Sequence, residues 1–295
     1  MINIKEHIET LNILPKNKQW DEEELLILDY FADQVDDDIQ NHLVAELMTM
    51  YTEASKQLNE KNALLNKYNT QLEELVEEKV EEISTSQIAT IHALVKSAES
   101  RDDETGAHIE RTAKYCRLIA EKLFEANMYA DIVNENYIEN IEKAAPLHDI
   151  GKVAIADAIL LKPDKFTDAE FAIMKTHVTK GHETLASVAN LYSENTFLNL
   201  GMEISRHHHE KWDGTGYVSK LSGEDIPLSA RIMALADVYD ALRSKRIYKD
   251  AYTHDITVEI IKQGSGGHFD PQLVEIFIDN HQQFCDIFDE FSGSK

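Results

Sequence analysis

Side chains that can bind metal ions recur in five short clusters after residue 100, where ten of the 13 histidines lie. The first is Glu104-Thr-Gly-Ala-His108. Four residues apart on a helix, Glu104 and His108 share a face and can converge on one ion, although such pairs are common on charged helices. The second is His148-Asp149-Ile-Gly-Lys152. It follows the apolar run Ala144-Ala145-Pro146-Leu147, which should be buried, and a buried charge needs a partner or a metal. The oxygens of Asp149 could bridge two ions, Gly151 is expected to release the helix, and Lys152 can face the same pocket. The third is His177, which alone would read as an ordinary surface or core histidine. The fourth is Arg206-His207-His208-His209-Glu210, ahead of the turn-rich Trp212-Asp-Gly-Thr-Gly-Tyr217. Three successive histidines cannot all point one way on a helix, so His207 is the expected bystander. The fifth is Asp237, among small apolar residues on a helix, expected as a buried carboxylate with a cationic partner. Imidazoles and carboxylates without thiolates suit iron, manganese or zinc and disfavour a structural zinc site. They outnumber the needs of one ion, which favours a site of two or three metals. Such sites activate a water and clamp phosphoryl oxygens, so phosphoester hydrolysis is the reaction they serve best.

The elements that must position these groups read as helices. Of 295 residues only 11 are glycine and 5 proline, which leaves few of the tight turns that strands need; the fold class expected is all-α. Asp21 with Glu24 resembles a capping box before Leu25, Leu28, Phe31 and Val35, a first helix within a small N-terminal region, 1–38. A second helix is expected from Ile39 to Ala98, free of glycine and proline. Leu58, Leu65 and Leu72 are spaced by sevens, with Tyr68 and Leu75 between, and Val76, Val80, Ile83, Ile91 and Leu94 continue the stripe. A helix this long cannot bury its stripe on itself, so a coiled-coil homodimer is expected, packing on the chain's own first helices being the alternative. Further on, Thr167 with Glu170 forms a capping box, Asp270-Pro271 reads as the start of the last helix, and Gly266-Gly267 suits the end of the helix before it.

Charge excludes some functions. With 54 acidic residues against 29 basic, the net charge is −25, spread along the chain, which argues against a nucleic-acid or anionic-membrane binder. A phosphate-bearing substrate would need local attraction from metals or a few cations. Two cysteines, Cys116 and Cys285, give no disulfide framework, and there is neither a signal-peptide pattern nor a membrane-length apolar run. A cytoplasmic protein is expected.

The order and spacing of all five clusters resemble the HD-GYP family, the HD-superfamily phosphodiesterases acting on cyclic di-GMP. The resemblance covers about residues 96–285, from Arg101-Asp-Asp-Glu104 through His208-His209-Glu210-Lys-Trp-Asp-Gly-Thr-Gly-Tyr217 to Ala236-Asp237-Val-Tyr-Asp240-Ala-Leu-Arg-Ser244. It also takes in Lys162-Pro163, Lys165-Phe166-Thr167, Gly223-Glu224, Ile226-Pro227-Leu228 and Phe269-Asp270-Pro271. It implies a helical catalytic domain, 99–295, after the coiled-coil helix, 39–98. It implies two or three divalent ions, iron or manganese, held by Glu104, His108, His148, Asp149, His177, His208, His209 and Asp237. Asp149 would bridge, and Glu104 belongs to the three-metal form. Asp149 and Lys152 would be catalytic, Lys152 on the scissile phosphate; Arg246, Lys249 and Tyr217 would join Lys152 in binding substrate. The pattern departs at Val218 and Ile247, each standing where the family has proline, which frees a backbone φ without removing a ligand or cation. His182, His254, His268 and His281 read as non-ligands, and residues 1–95 show no receiver-domain pattern.

The expected function is hydrolysis of cyclic di-GMP to linear pGpG, and on to GMP, by a metal-bound hydroxide. The alternatives are another cyclic dinucleotide such as cyclic GMP-AMP, a catalytically silent binding module signalling through its coiled coil, and a generic HD nucleotide hydrolase.

Overall fold

A computed structural model describes residues 26, 27, 30, 38–99, 107–189, 195–245 and 250–292. The first helix expected around Leu25, Leu28, Phe31 and Val35 lies outside them, apart from the helical Leu26, Ile27 and Tyr30. The described residues are helical, and their one strand-like pairing is an isolated bridge between Ser265 and Phe269. None of these helices is long and apolar enough to cross a membrane.

Helix α1, Asp38–Glu99, is unbroken for 62 residues, as a stretch without glycine or proline allows. By contacts the chain forms two compact units, residues 1–83 and 84–295. In the first, the heptad leucines Leu58, Leu65 and Leu72 are 59%, 56% and 58% exposed. In the second, the end of α1 joins that unit's core: Val95 is buried and the His92 Nε2 lies 3.1 Å from the Lys143 carbonyl oxygen.

The other elements of this second unit are α2 (Ala107–Glu125), α3 (Glu135–Ala144), a 3₁₀ segment (Ala145–Ala154), α4 (Asp157–Leu160), α5 (Asp168–Met174), α6 (Thr176–Ala189), α7 (Thr196–His207), α8 (Leu228–Arg243), α9 (His254–Gln263) and α10 (Pro271–Ser292). Side-chain caps set several starts. Asn134 accepts from the Tyr137 N–H at 2.9 Å, Asn195 from Leu198 at 3.0 Å, and Asp270 from Gln272 at 2.9 Å. Thr167 and Glu170 form the expected capping box of α5. The Gly266-Gly267 expectation is corrected: α9 stops at Gln263 with Gly264 as its cap, and Gly266 lies beyond, in a turn with φ of +75°.

Tyr115 of α2, Tyr239 of α8, and Phe277 and Phe284 of α10 interlock, with Tyr115 stacked on Phe284 and edge-on to Tyr239, centroids 5.1 Å apart in each pair. These fully buried rings fix α2 and α8, the helices that carry His108 and Asp237. On the other side α6 packs on the 3₁₀ segment and on α7.

That crossing is unusually close. A β-carbon on Gly151 would lie 1.9 Å from the His177 carbonyl oxygen and 2.6 Å from the Gly181 nitrogen, so backbone meets backbone. Gly151 was expected to release a helix after His148 and Asp149. Instead α3 already ends at Ala144, because Pro146 supplies no N–H for a further α-turn, and Gly151 lies within the 3₁₀ segment that follows. Its role is to admit α6.

Candidate metal centre

Five segments converge on one buried pocket: α2, the 3₁₀ segment, α6, the end of α7 and α8. Atoms that could bind an ion lie within 4.8 Å of one another in two groups: Asp149, His177, His208 and His209, and His108, His148 and Asp237. The structure thus brings together seven of the eight expected ligands. Glu104 lies outside the described residues, as do Arg246 and Lys249. His207 is apart from both groups, and burial beside Arg206 and His182 pushes its pKa down to about 4. None of His182, His254, His268 and His281 lies in either group. His182 faces the Met202 carbonyl, and His254 pairs with His281 at 2.9 Å.

Backbone carbonyls fix how three imidazoles are presented. The Nδ1 of His148 lies 2.9 Å from the Ala145 oxygen, that of His177 2.8 Å from Met174, and that of His208 2.9 Å from Ile204. A carbonyl only accepts, so each Nδ1 donates, and in the neutral ring Nε2 carries the lone pair. Burial keeps His208 neutral, with the neighbouring His209 adding to that effect and its pKa held well below the ordinary value. Burial and His177 push His209 down to about 3.

Asp149 sits at the middle. Its oxygens lie 3.3 Å from His148 Nε2, 3.2 Å from His177 Nε2 and 3.8 Å from His208 Nε2. Burial raises the pKa of this carboxyl, but Lys152 and His148 outweigh burial and hold it well below the ordinary range, so it is a carboxylate. The Lys152 ammonium is 2.7 Å from Oδ2. Oδ1 of Asp149 and Nε2 of His177 and His208 are buried without a hydrogen bond. Imidazole Nε2 atoms and a carboxylate oxygen therefore face one another, buried and without a hydrogen-bond donor between them, an arrangement that costs free energy until a cation lies among them. The donors present fit divalent metal ions.

The second carboxylate expectation is corrected. On α8 the deeply buried acid is Asp240, which has a guanidinium partner, while the side chain of Asp237 is 19% exposed. Asp240 receives the Arg111 guanidinium, with Nη2 2.7 Å from Oδ2, and accepts from His108 Nδ1 at 2.8 Å. Asp240 thereby turns the His108 Nε2 toward Asp237, 3.8 Å away. Neither Arg111 nor Asp240 was singled out as a site residue from sequence; the signal available was Arg111 one turn after His108 and Asp240 one turn after Asp237.

Glu210 was likewise quoted without a role. It is 2% exposed, and one carboxylate oxygen accepts the backbone N–H groups of Ser219 at 2.6 Å and Lys220 at 3.0 Å. This folds residues 217–220 back over the histidine pair, while the Tyr217 ring stacks on His209 with centroids 4.8 Å apart. Gly216 permits the return, since its β-carbon would meet the Lys211 nitrogen at 2.4 Å. Glu210→Ala leaves two N–H groups without an acceptor and is expected to cost about 2 kcal/mol in thermal or urea unfolding, with Glu210→Gln milder because its amide oxygen still accepts. Equal stability in all three proteins would refute the tether.

The HD domain family matches residues 103–273. A Vibrio cholerae protein named a cyclic di-GMP phosphodiesterase is 49% identical over 213 residues, covering 72% of this chain and 43% of that protein. A cyclic di-GMP phosphodiesterase response regulator of Xanthomonas campestris is 38% identical over 236 residues, 80% of this chain and 59% of the relative. A 3′3′-cGAMP-specific phosphodiesterase of Vibrio cholerae is 43% identical over 197 residues, 67% of this chain and 35% of that protein. The chain thus spans between about a third and three fifths of the length of these relatives.

Proposed function

This chain belongs to the HD-GYP family of HD domains, and on that premise we propose that it is a metal-dependent phosphodiesterase that opens cyclic di-GMP. The observation that carries the reading is the pocket of buried imidazoles whose Nε2 atoms surround the Asp149 carboxylate. His108, His148, Asp149, His177, His208, His209 and Asp237 would hold two ions, and Glu104 a third. Divalent iron or manganese bound there would supply an activated water and neutralise charge on the phosphoryl oxygens.

The chain's own groups do the rest. The 3₁₀ segment holds Lys152 beside Asp149, so its ammonium can turn to a non-bridging phosphate oxygen entering the pocket. Asp149 stays ionised between His148 and His177, whose rings are oriented by the Ala145 and Met174 carbonyls. The half-buried Tyr217 ring and the loop tethered by Glu210 would exclude water from one side. Arg246 and Lys249 would hold the dinucleotide phosphates, and Tyr217 would join them in binding substrate. The first product would be pGpG, with GMP following if the linear dinucleotide stays bound. Cyclic GMP-AMP is the second reading, favoured by the likeness to a 3′3′-cGAMP-specific relative. Free cysteines Cys116 and Cys285 suit a cytoplasmic setting.

Anaerobic purification with iron or manganese, metal counting and product analysis with both dinucleotides test this. Metal-dependent release of pGpG from cyclic di-GMP is expected; a metal-filled protein that cleaves neither dinucleotide would refute the enzyme.

The exposed heptad stripe of α1 is proposed to pair with the same helix of a second copy, so that a change in helix register reaches the metal pocket. Sedimentation equilibrium is expected to show a dimer, and Leu65→Asp with Leu72→Asp a monomer. A monomeric wild-type chain would end this proposal.

A further inference from the structure

Phe171 and Lys175 have no part in the metal centre, yet they stand at its mouth. Phe171, on α5, is 44% exposed. Its ring is edge-on to Tyr217, with centroids 6.2 Å apart, and Tyr217 in turn stacks on His209. His209 lies against His208 at 4.0 Å. A contiguous row of rings thus runs from the histidines out to solvent. The Lys175 ammonium lies 5.0 Å from the Phe171 centroid and 5.6 Å from that of Tyr217, so it caps both. Val218, 41% exposed, continues the apolar lip in the adjacent loop.

The position of Phe171 is rigidly set. The capping box holds the start of α5, and Glu170 also binds Lys162 at 2.5 Å across the preceding loop. A firmly held, half-exposed aromatic ring with a cation over it suits a flat, electron-rich ring attached to an anion. On a chain of net charge −25, a cation beside the pocket adds local attraction for such a ligand.

We propose that Phe171 and Lys175, with Tyr217, form a subsite for one purine base of the cyclic dinucleotide: the base stacks on Phe171, and Lys175 donates to its ring nitrogen or carbonyl oxygen. This rests on the cyclic-dinucleotide reading above. The subsite is separate from the ligands and from Lys152, and it recognises the base, whereas the metal pocket recognises the phosphate.

Binding of the phosphorothioate analogue of cyclic di-GMP to the manganese-loaded full chain, by titration calorimetry, tests it. Phe171→Ala is expected to weaken binding roughly 5- to 100-fold, the range for loss of one stacked base. Phe171→Trp should restore it, Lys175→Gln should weaken it, and Ile173→Ala, an exposed apolar change on the same helix, should match wild type. In hydrolysis, Phe171→Ala should raise KM for cyclic di-GMP. Its loss in kcat/KM should be at least about ten times larger for cyclic di-GMP than for methyl p-nitrophenyl phosphate, a diester without a base. Equal losses on both substrates would mean that Phe171 supports the fold, and would overturn the subsite. A Phe171→Ala protein that binds like an active wild type would overturn it while leaving the phosphodiesterase standing. Wild type that cleaves the small diester but binds no cyclic dinucleotide would bring down both readings.

Discussion

Asp149→Ala is expected to lower kcat for cyclic di-GMP by on the order of a thousandfold or more, since metal neutralisation of phosphoryl charge supplies several kcal/mol and each 1.36 kcal/mol is a factor of ten. The reason is position. The oxygens of Asp149 approach three imidazole nitrogens at 3.2 to 3.8 Å and the Lys152 ammonium at 2.7 Å. Without the carboxylate, an ion held by His177, His208 and His209 would face nitrogens only, with the Lys152 charge close by. Two readouts should therefore move together: metal content after dialysis, and the rise in melting temperature on adding manganese, which reports binding to the folded state. Full metal content and wild-type turnover in this variant would refute the assignment of Asp149.

The second large effect concerns Asp240, which touches no substrate in the proposed scheme. Asp240→Ala leaves the Arg111 guanidinium buried without its carboxylate, and breaking such a pair costs about 3–5 kcal/mol. It also removes the acceptor of His108 Nδ1, and loss of such an orienting partner lowers metal affinity or activity by about 10–100-fold. The pH dependence has a defined sign. Burial raises the Asp240 pKa, but hydrogen bonds from Arg111 and His108 outweigh burial and hold it below its ordinary 3.8. The group is depressed in the folded state, so its contribution is complete above pH 3.8 and is lost as pH falls through the folded value. Wild type should thus lose stability in acid below about pH 4 that the Ala variant lacks at every pH. Parallel acid unfolding curves of the two proteins would rule this out.

The parts of the centre legible in sequence were those with a local cause. His148-Asp149 stood out because it follows a run of residues that had to be buried, and His207 was set aside because three adjacent histidines cannot share a helix face. The all-helical fold followed from how few turn residues there are. Contacts between distant segments were not legible. Asp237 and Asp240 sit one turn apart on one helix, and which of them is buried is decided by Arg111, far earlier in the chain. Glu210 was equally opaque, because its partners are N–H groups of a loop that returns to it only after Gly216. Gly151 looked like a helix terminator because its neighbour across the crossing, Gly181, carries no chemical signal of its own.

That crossing bears on which ions the pocket can admit. Where Gly151 meets α6 it faces the peptide groups of His177 and Gly181, so main chain sets how closely Asp149 and His177 can approach. A β-carbon at Gly151 would therefore widen the gap between Asp149 and His177 and loosen the pair's grip on ions with ligand bonds of about 2.0–2.2 Å.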